Sequence, residues 1–160
     1  MSSRGLSLLP LLLLASACGF QLQGAIVPPA AMERTYIATE DRYTLFYRDL
    51  RTELHAAGVE LVDTPEQATA TLSILVDETG QRVLSVSARN VPTEYEVYYS
   101  VEYALQGEGR SLLAPQFITL TRDYTYDETL VLGKAREEAL LREAIVQDLV
   151  RVVLKRLASL

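Results

Sequence analysis

The amino-acid sequence predicts an α+β domain in which two helices pack on one face of a mainly antiparallel sheet of about four strands. Three patterns carry that expectation. Apolar residues recur at helical spacing around Leu50 and again from Lys134 to the end of the chain. Between those regions the period falls to two, as in half-buried strands. The helices and strands are also segregated along the chain rather than alternating, which favours an α+β architecture over a doubly wound sheet. The chain has 160 residues and a formal charge of −6, enough length for one domain with a sizeable core.

Residues 1–17 read as a signal segment. Arg4 precedes an apolar run from Leu6 to Ala17, and the small residues Ala15, Ser16 and Ala17 lead directly to Cys18. A basic start, an apolar stretch and a small-residue cleavage site make a secretory signal. The run is about a dozen residues and contains Pro10, short of the roughly 20 needed to span a bilayer. Cys18 is the only cysteine, so it has no internal disulfide partner. Its place directly after the cleavage site suggests a bacterial lipoprotein signal with Cys18 as the lipid-bearing first residue, although Ala15 stands where a leucine is usual. Gly19 follows where an aspartate would commonly signal retention at the inner membrane, so the anchor points to the outer membrane. Cleavage leaves 143 residues and, with Arg4 gone, a charge of −7.

Residues 18–32 form an extended tether containing Pro28-Pro29, and residues 33–160 form the single α+β domain. Arg34 to Ala38 is a short strand. Asp41 or Thr44 caps a helix running to about Ala57, with Leu45, Phe46, Leu50 and Leu54 on one side and Gly58 as its stop. Arg48, Asp49, Arg51 and Glu53 face elsewhere. Val59 to Val62 is extended, and Asp63-Thr64-Pro65 breaks the chain. From Thr69, Leu72, Ile74 and Val76 alternate with Thr71, Ser73 and Leu75. Asp77 to Gly80 reads as a turn, Val83 to Ala88 as a return strand, and Asn90 to Thr93 as the next turn. The clearest strand follows, with Tyr95, Val97, Tyr99, Val101, Tyr103 and Leu105 toward the core and Glu94, Glu96, Tyr98, Ser100 and Glu102 toward water. Gly107 and Gly109 mark another turn before a strand from Phe117 to Tyr126. The last helix, about Lys134 to Ala158, carries a stripe of Leu141, Ile145, Leu149, Val152, Val153 and Leu157. Its acidic residues gather toward the start and its basic ones toward the end, as the macrodipole prefers.

Catalytic chemistry finds little support. The one histidine, His55, sits in the first helix without a nucleophile beside it. One histidine and one anchor cysteine cannot build a zinc-type site. Glu94, Glu96 and Glu102 share a strand face but read as a solvated surface. Glycines occur singly at turns, not in a phosphate loop. The acidic balance argues against a nucleic-acid partner. These residues point to a protein that is not an enzyme and requires no cofactor. Six of nine tyrosines lie between Tyr95 and Tyr126, a density that suits wet interfaces. Two basic residues stand out by position. Arg89 ends the second strand of the meander, and Lys134 opens the last helix, where a cation costs roughly 0.3–1 kcal/mol.

The opening Cys18-Gly19-Phe20-Gln21-Leu22-Gln23-Gly24 resembles that of the LptE family of lipopolysaccharide-assembly outer-membrane lipoproteins. The likeness extends through the Pro-containing tether, the first helix, the Glu94-Tyr95-Glu96-Val97 strand and the long closing helix. The resemblance implies a plug-and-barrel complex with the large β-barrel LptD, help in assembling that barrel, and binding and delivery of lipopolysaccharide. The domain would then lie in the barrel lumen or face the periplasm. It further implies that a basic residue on a strand-end loop and one near the start of the last helix meet lipopolysaccharide phosphates. Lys134 matches the second position, and Arg89 matches the first with the short loop shifted by one residue. A competing expectation is a pilotin-like lipoprotein that guides a secretion pore to the outer membrane.

Overall fold

The computed structural model describes residues 27–126 and 131–160, with side chains in the last helix from Ala135 onward. The signal segment, Cys18 and the tether as far as residue 26 lie outside the described residues. Ala30–Met32 forms one 3-10 turn whose Met32 is fully buried, so the chain joins the core there. Strand β1 (Arg34–Ala38) follows, and its buried Thr35 hydroxyl donates to the Met32 carbonyl at 2.8 Å.

Helix α1 (Leu45–Ala56) begins at Thr44, whose extended backbone and hydroxyl acceptor cap the Tyr47 N–H at 3.1 Å. It stops before Gly58, which adopts the left-handed conformation (φ +87°) that glycine tolerates best. Its apolar side, Phe46, Leu50 and Leu54, is fully buried. Strand β2 (Glu60–Val62) then returns parallel to β1, with Arg34 opposite Glu60, which makes β1-α1-β2 a crossover unit. After a 3-10 turn at Pro65–Gln67, β3 (Ala70–Val86) pairs parallel to the other side of β1. Strands β4 (Pro92–Gly107) and β5 (Arg110–Thr125) extend the sheet antiparallel. The order is β2-β1-β3-β4-β5. The expected α+β class holds, in a five-stranded mixed sheet that is mostly antiparallel.

The turn expected at Asp77–Gly80 does not form. β3 runs through it without reversing, so the supposed return strand from Val83 is the outer half of one 17-residue strand. Both misleading residues have tertiary reasons to be there. Gly80 lies opposite Tyr98, and a Cβ at this position would meet the Tyr98 ring and hydroxyl at 2.6–2.9 Å. It is a close-approach glycine, not a turn glycine. Asp77 is held by the hydroxyls of Tyr99 and Thr44. A bulge between Ile74 and Val76 shifts the alternation, leaving Ala70, Leu72 and Ile74 buried and Val76 only partly so.

Strand β4 buries the expected face: Val97, Tyr99, Val101, Tyr103 and Leu105. The opposite face is less wet than its composition suggests. Ser100 is buried there, within 2.8 Å of the Thr119 hydroxyl on β5. Helix α2 (Val131–Ala158) packs on β4, β5 and α1. Ile145, Val146, Leu149, Val150, Val153, Leu154 and Leu157 are buried, whereas Val152 is 42% exposed. The expected stripe was therefore too narrow and included one residue that points outward. A helix wedged between a sheet and a second helix needs a broad apolar arc, not a single seam.

The Tyr103 hydroxyl is buried without a hydrogen-bond partner among the described residues. Burial pushes its titration up, opposed by the Arg156 charge. An orphaned hydroxyl carries a desolvation cost, so Tyr103→Phe should raise stability by about 0.5–1 kcal/mol. Urea unfolding checks this, and a clear loss would reveal a hydrogen bond at that hydroxyl.

Candidate functional site

The outer halves of β3, β4 and β5 extend along the sheet to the β3–β4 turn. That turn is closed by Ser87 N–H to Val91 O at 2.7 Å, Asn90 N–H to Ser87 O at 2.8 Å and Val91 N–H to Ser87 Oγ at 3.2 Å. Asn90 takes the left-handed conformation (φ +61°), which asparagine accepts more readily than most residues. Arg89 sits exposed in this turn.

Contacts along α2 fix its direction. Near its C-terminal end the Arg156 charge acts on Tyr103, which pairs with Ile74 in the inner half of β3. Nearer the helix start, Glu138 lies close enough to raise the Tyr124 titration, after burial, which is the larger cause. The N-terminal end of α2 therefore lies toward the same end of the sheet as the Arg89 turn. Lys134 is in the first turn of this helix, which starts at Val131. Its side chain lies outside the described residues, as does Cys18.

Between these positions the surface is both aromatic and apolar. Tyr95 stacks on Tyr124 at 5.6 Å and meets Tyr126 edge-on at 5.4 Å. The Tyr124 hydroxyl donates to Gln81 Oε1 at 3.1 Å. Val83, Leu84, Val86 and Leu140 are each roughly half exposed. The Glu94 and Glu96 carboxylates already have partners. Glu94 accepts from Ser85 at 2.8 Å, and Glu96 pairs with Arg82 at 2.5 Å. Among the described residues no group of three or more metal-ligating side chains gathers, and no helix is long and apolar enough to cross a membrane.

The chain matches the family model described as "LptE: Lipopolysaccharide-assembly" over residues 32–157. It belongs to the LptE family. The LPS-assembly lipoprotein LptE of Yersinia enterocolitica is 27% identical over 147 residues, spanning 89% of this chain and 70% of that protein. That of Pectobacterium atrosepticum is 24% identical, spanning 89% and 79%. Among solved structures, an uncharacterized lipoprotein B from Nitrosomonas europaea superposes with a TM-score of 0.74 at 27% identity, covering 88% of this chain and 91% of that one. The rare lipoprotein B of Shewanella oneidensis gives 0.69 at 28% identity, covering 79% and 94%. LptE is a non-enzymatic assembly family.

His55, Arg48 and Arg51 are exposed on α1, as surface residues of a helix, and they line one cleft. The signal for this was the spacing of Arg48, Arg51 and His55, but the wall that completes the cleft comes from β2.

Proposed function

We propose that this LptE-family member is an outer-membrane lipoprotein, anchored through Cys18, that plugs and assists assembly of an LptD-type β-barrel. In this role it takes part in lipopolysaccharide binding and insertion at the outer leaflet. The observation that carries the reading is the outer half of the β3–β5 sheet. It presents half-exposed Val83, Leu84 and Val86 beside a tyrosine cluster and polar side chains. An apolar patch with a polar rim suits a protein partner, and a barrel lumen offers polar walls to the rim. Acyl chains on Cys18, at about 0.8 kcal/mol per buried CH₂, would hold the domain at the membrane.

Full-length protein solubilised from outer membranes should co-purify with a large β-barrel. Recovery as a lone monomer would overturn the reading, and a secretion pore in its place would indicate a pilotin-like role. Within the same reading, Arg89 and Lys134 meet lipopolysaccharide phosphates, Arg through bidentate bonds and Lys as a point charge. Changing both to Glu should weaken lipopolysaccharide binding by roughly tenfold or more while leaving the circular dichroism spectrum unchanged. Unaltered affinity would remove these two residues from the site.

A further inference from the structure

Helix α1 places Arg48, Arg51, Thr52 and His55 on one face, since residues three, four and seven apart stack along a helix. The opposite face is spent on Phe46, Leu50 and Leu54 in the core. The cationic face borders edge strand β2, and the two enclose a cleft of about 820 Å³ lined by Arg42, Arg48, Arg51, His55, Tyr47 and Glu60, among others. Arg42, Tyr47 and Arg51 also line a smaller recess of about 240 Å³ beside Asp63.

Among the described residues, none of these three arginines has an ion-pair partner, whereas Arg82, Arg122, Arg142 and Arg151 each have one. Glu60 and Asp63 line the two hollows without reaching pairing distance. Three guanidinium groups thus gather around one cleft on a protein of net charge −6. Like charges one turn apart repel, and an anion between them would relieve that repulsion.

We propose that this cleft binds a phosphate ester, with Arg42, Arg48 and Arg51 holding the phosphate and Tyr47, Thr52 and His55 adding polar contacts to the group it carries. Guanidinium forks match phosphate oxygens bidentately. The volume lies within the roughly 300–1,000 Å³ typical of small-molecule sites, so it admits a headgroup as well as a bare phosphate. This site is separate from the one around Arg89. The cleft lies at the β1–β2 edge, whereas the Arg89 turn follows the outer end of the 17-residue β3, roughly 50 Å along the strand at about 3.3 Å per residue.

The chain enters the domain on the cleft's side. Ala31 O accepts from Thr69 at 2.8 Å, and Glu33 O accepts from the Glu60 N–H at 2.9 Å. Cys18 lies nine residues before Val27, a reach of at most about 30 Å. A glycerophosphate lipid headgroup is therefore the favoured source of the ester. That choice of source rests on the proposed anchoring at Cys18, whereas the phosphate site does not.

The test is calorimetric titration of the purified full chain in uncharged detergent with inorganic phosphate, glycerol 3-phosphate and dihexanoyl phosphatidylglycerol. The phosphatidylglycerol should bind most tightly, and R48Q/R51Q should weaken it by roughly tenfold or more. R42Q, which lies outside α1, should weaken it in the same direction even if the double variant perturbs the helix, and R110Q, at the exposed start of β5, should leave it unchanged. Equal binding of inorganic phosphate would keep the site and assign it to a free phosphate. If no probe binds, or the arginine variants bind as the native chain does, the proposal is wrong. Glycerol 3-phosphate is read without barrel or membrane, so this failure is distinguishable from failure of the anchoring or barrel readings.

Discussion

Phe46→Ala is expected to destabilise the domain by about 3–5 kcal/mol, the cost of removing a large aromatic side chain from a packed core. Phe46 is fully buried in the first turn of α1, among the side chains that join this helix to the sheet and to α2. Its backbone N–H also approaches the Tyr99 hydroxyl at 3.4 Å. Truncation would open a cavity between three elements that cannot all collapse into it. β3 and β4 are locked by a long antiparallel ladder, and α2 is held by seven buried aliphatic residues. The measurement is the urea midpoint at constant slope. Val152→Ala, on the exposed side of α2, is the control and should cost less than about 1 kcal/mol. Equal losses for the two variants would mean that Phe46 is not a core residue.

The elements that could be read from the sequence are those whose information is local. Thr44 announces the start of α1, and Gly58 its end. The strict alternation from Tyr95 to Leu105 identifies both the strand and its buried face. The closing helix is visible from its 3.6-residue repeat, but its buried arc is not, because that depends on contact with α1 as well as the sheet. Val146, Val150 and Leu154 are buried for that reason, while Val152 is not. Pairing across long separations was also hidden. Nothing in Glu60–Val62 states that it lies parallel to Arg34–Tyr36, and the Asp77-Glu78-Thr79-Gly80 run imitates a turn. Of the site residues, the sequence places Arg89 in a turn between strands and Lys134 at the start of the last helix. The arginine cleft needed β2 as its second wall, so helical spacing alone left those residues looking like ordinary surface charges.

Asp77 shows why that imitation failed, and its removal is the second large effect expected. Its two carboxylate oxygens accept from Tyr99 at 2.6 Å and from Thr44 at 2.5 Å. Thr44 in turn caps α1 through Tyr47 N–H at 3.1 Å. One side chain in mid-strand thus ties the helix cap to β3 and β4. Asp77→Ala would leave two hydroxyls short of an acceptor, at a cost of about 2–3 kcal/mol. Asp77→Asn keeps one carbonyl acceptor and should cost less. Tyr99→Phe combined with Asp77→Ala should be non-additive by about 0.5–3 kcal/mol, as expected within one network. Strict additivity would show that the groups act independently. The same network predicts an alkaline response. Burial first, then the hydrogen bond to Asp77 and its charge, raise the Tyr99 titration above the ordinary tyrosine range. Below about pH 10, the unperturbed tyrosine value, folded and unfolded chains both keep this proton, and its contribution to stability is constant. Above it the unfolded chain releases the proton first, so stability falls as pH rises toward the native value. Burial raises the Tyr103 and Tyr124 titrations in the same direction, so their contributions add to the decline. Tyr99→Phe should make the alkaline fall in urea midpoint shallower, and Asp77→Ala should do so only in part, because burial of Tyr99 is the larger cause. If both variants follow the native curve above pH 10, Tyr99 does not govern the alkaline limb.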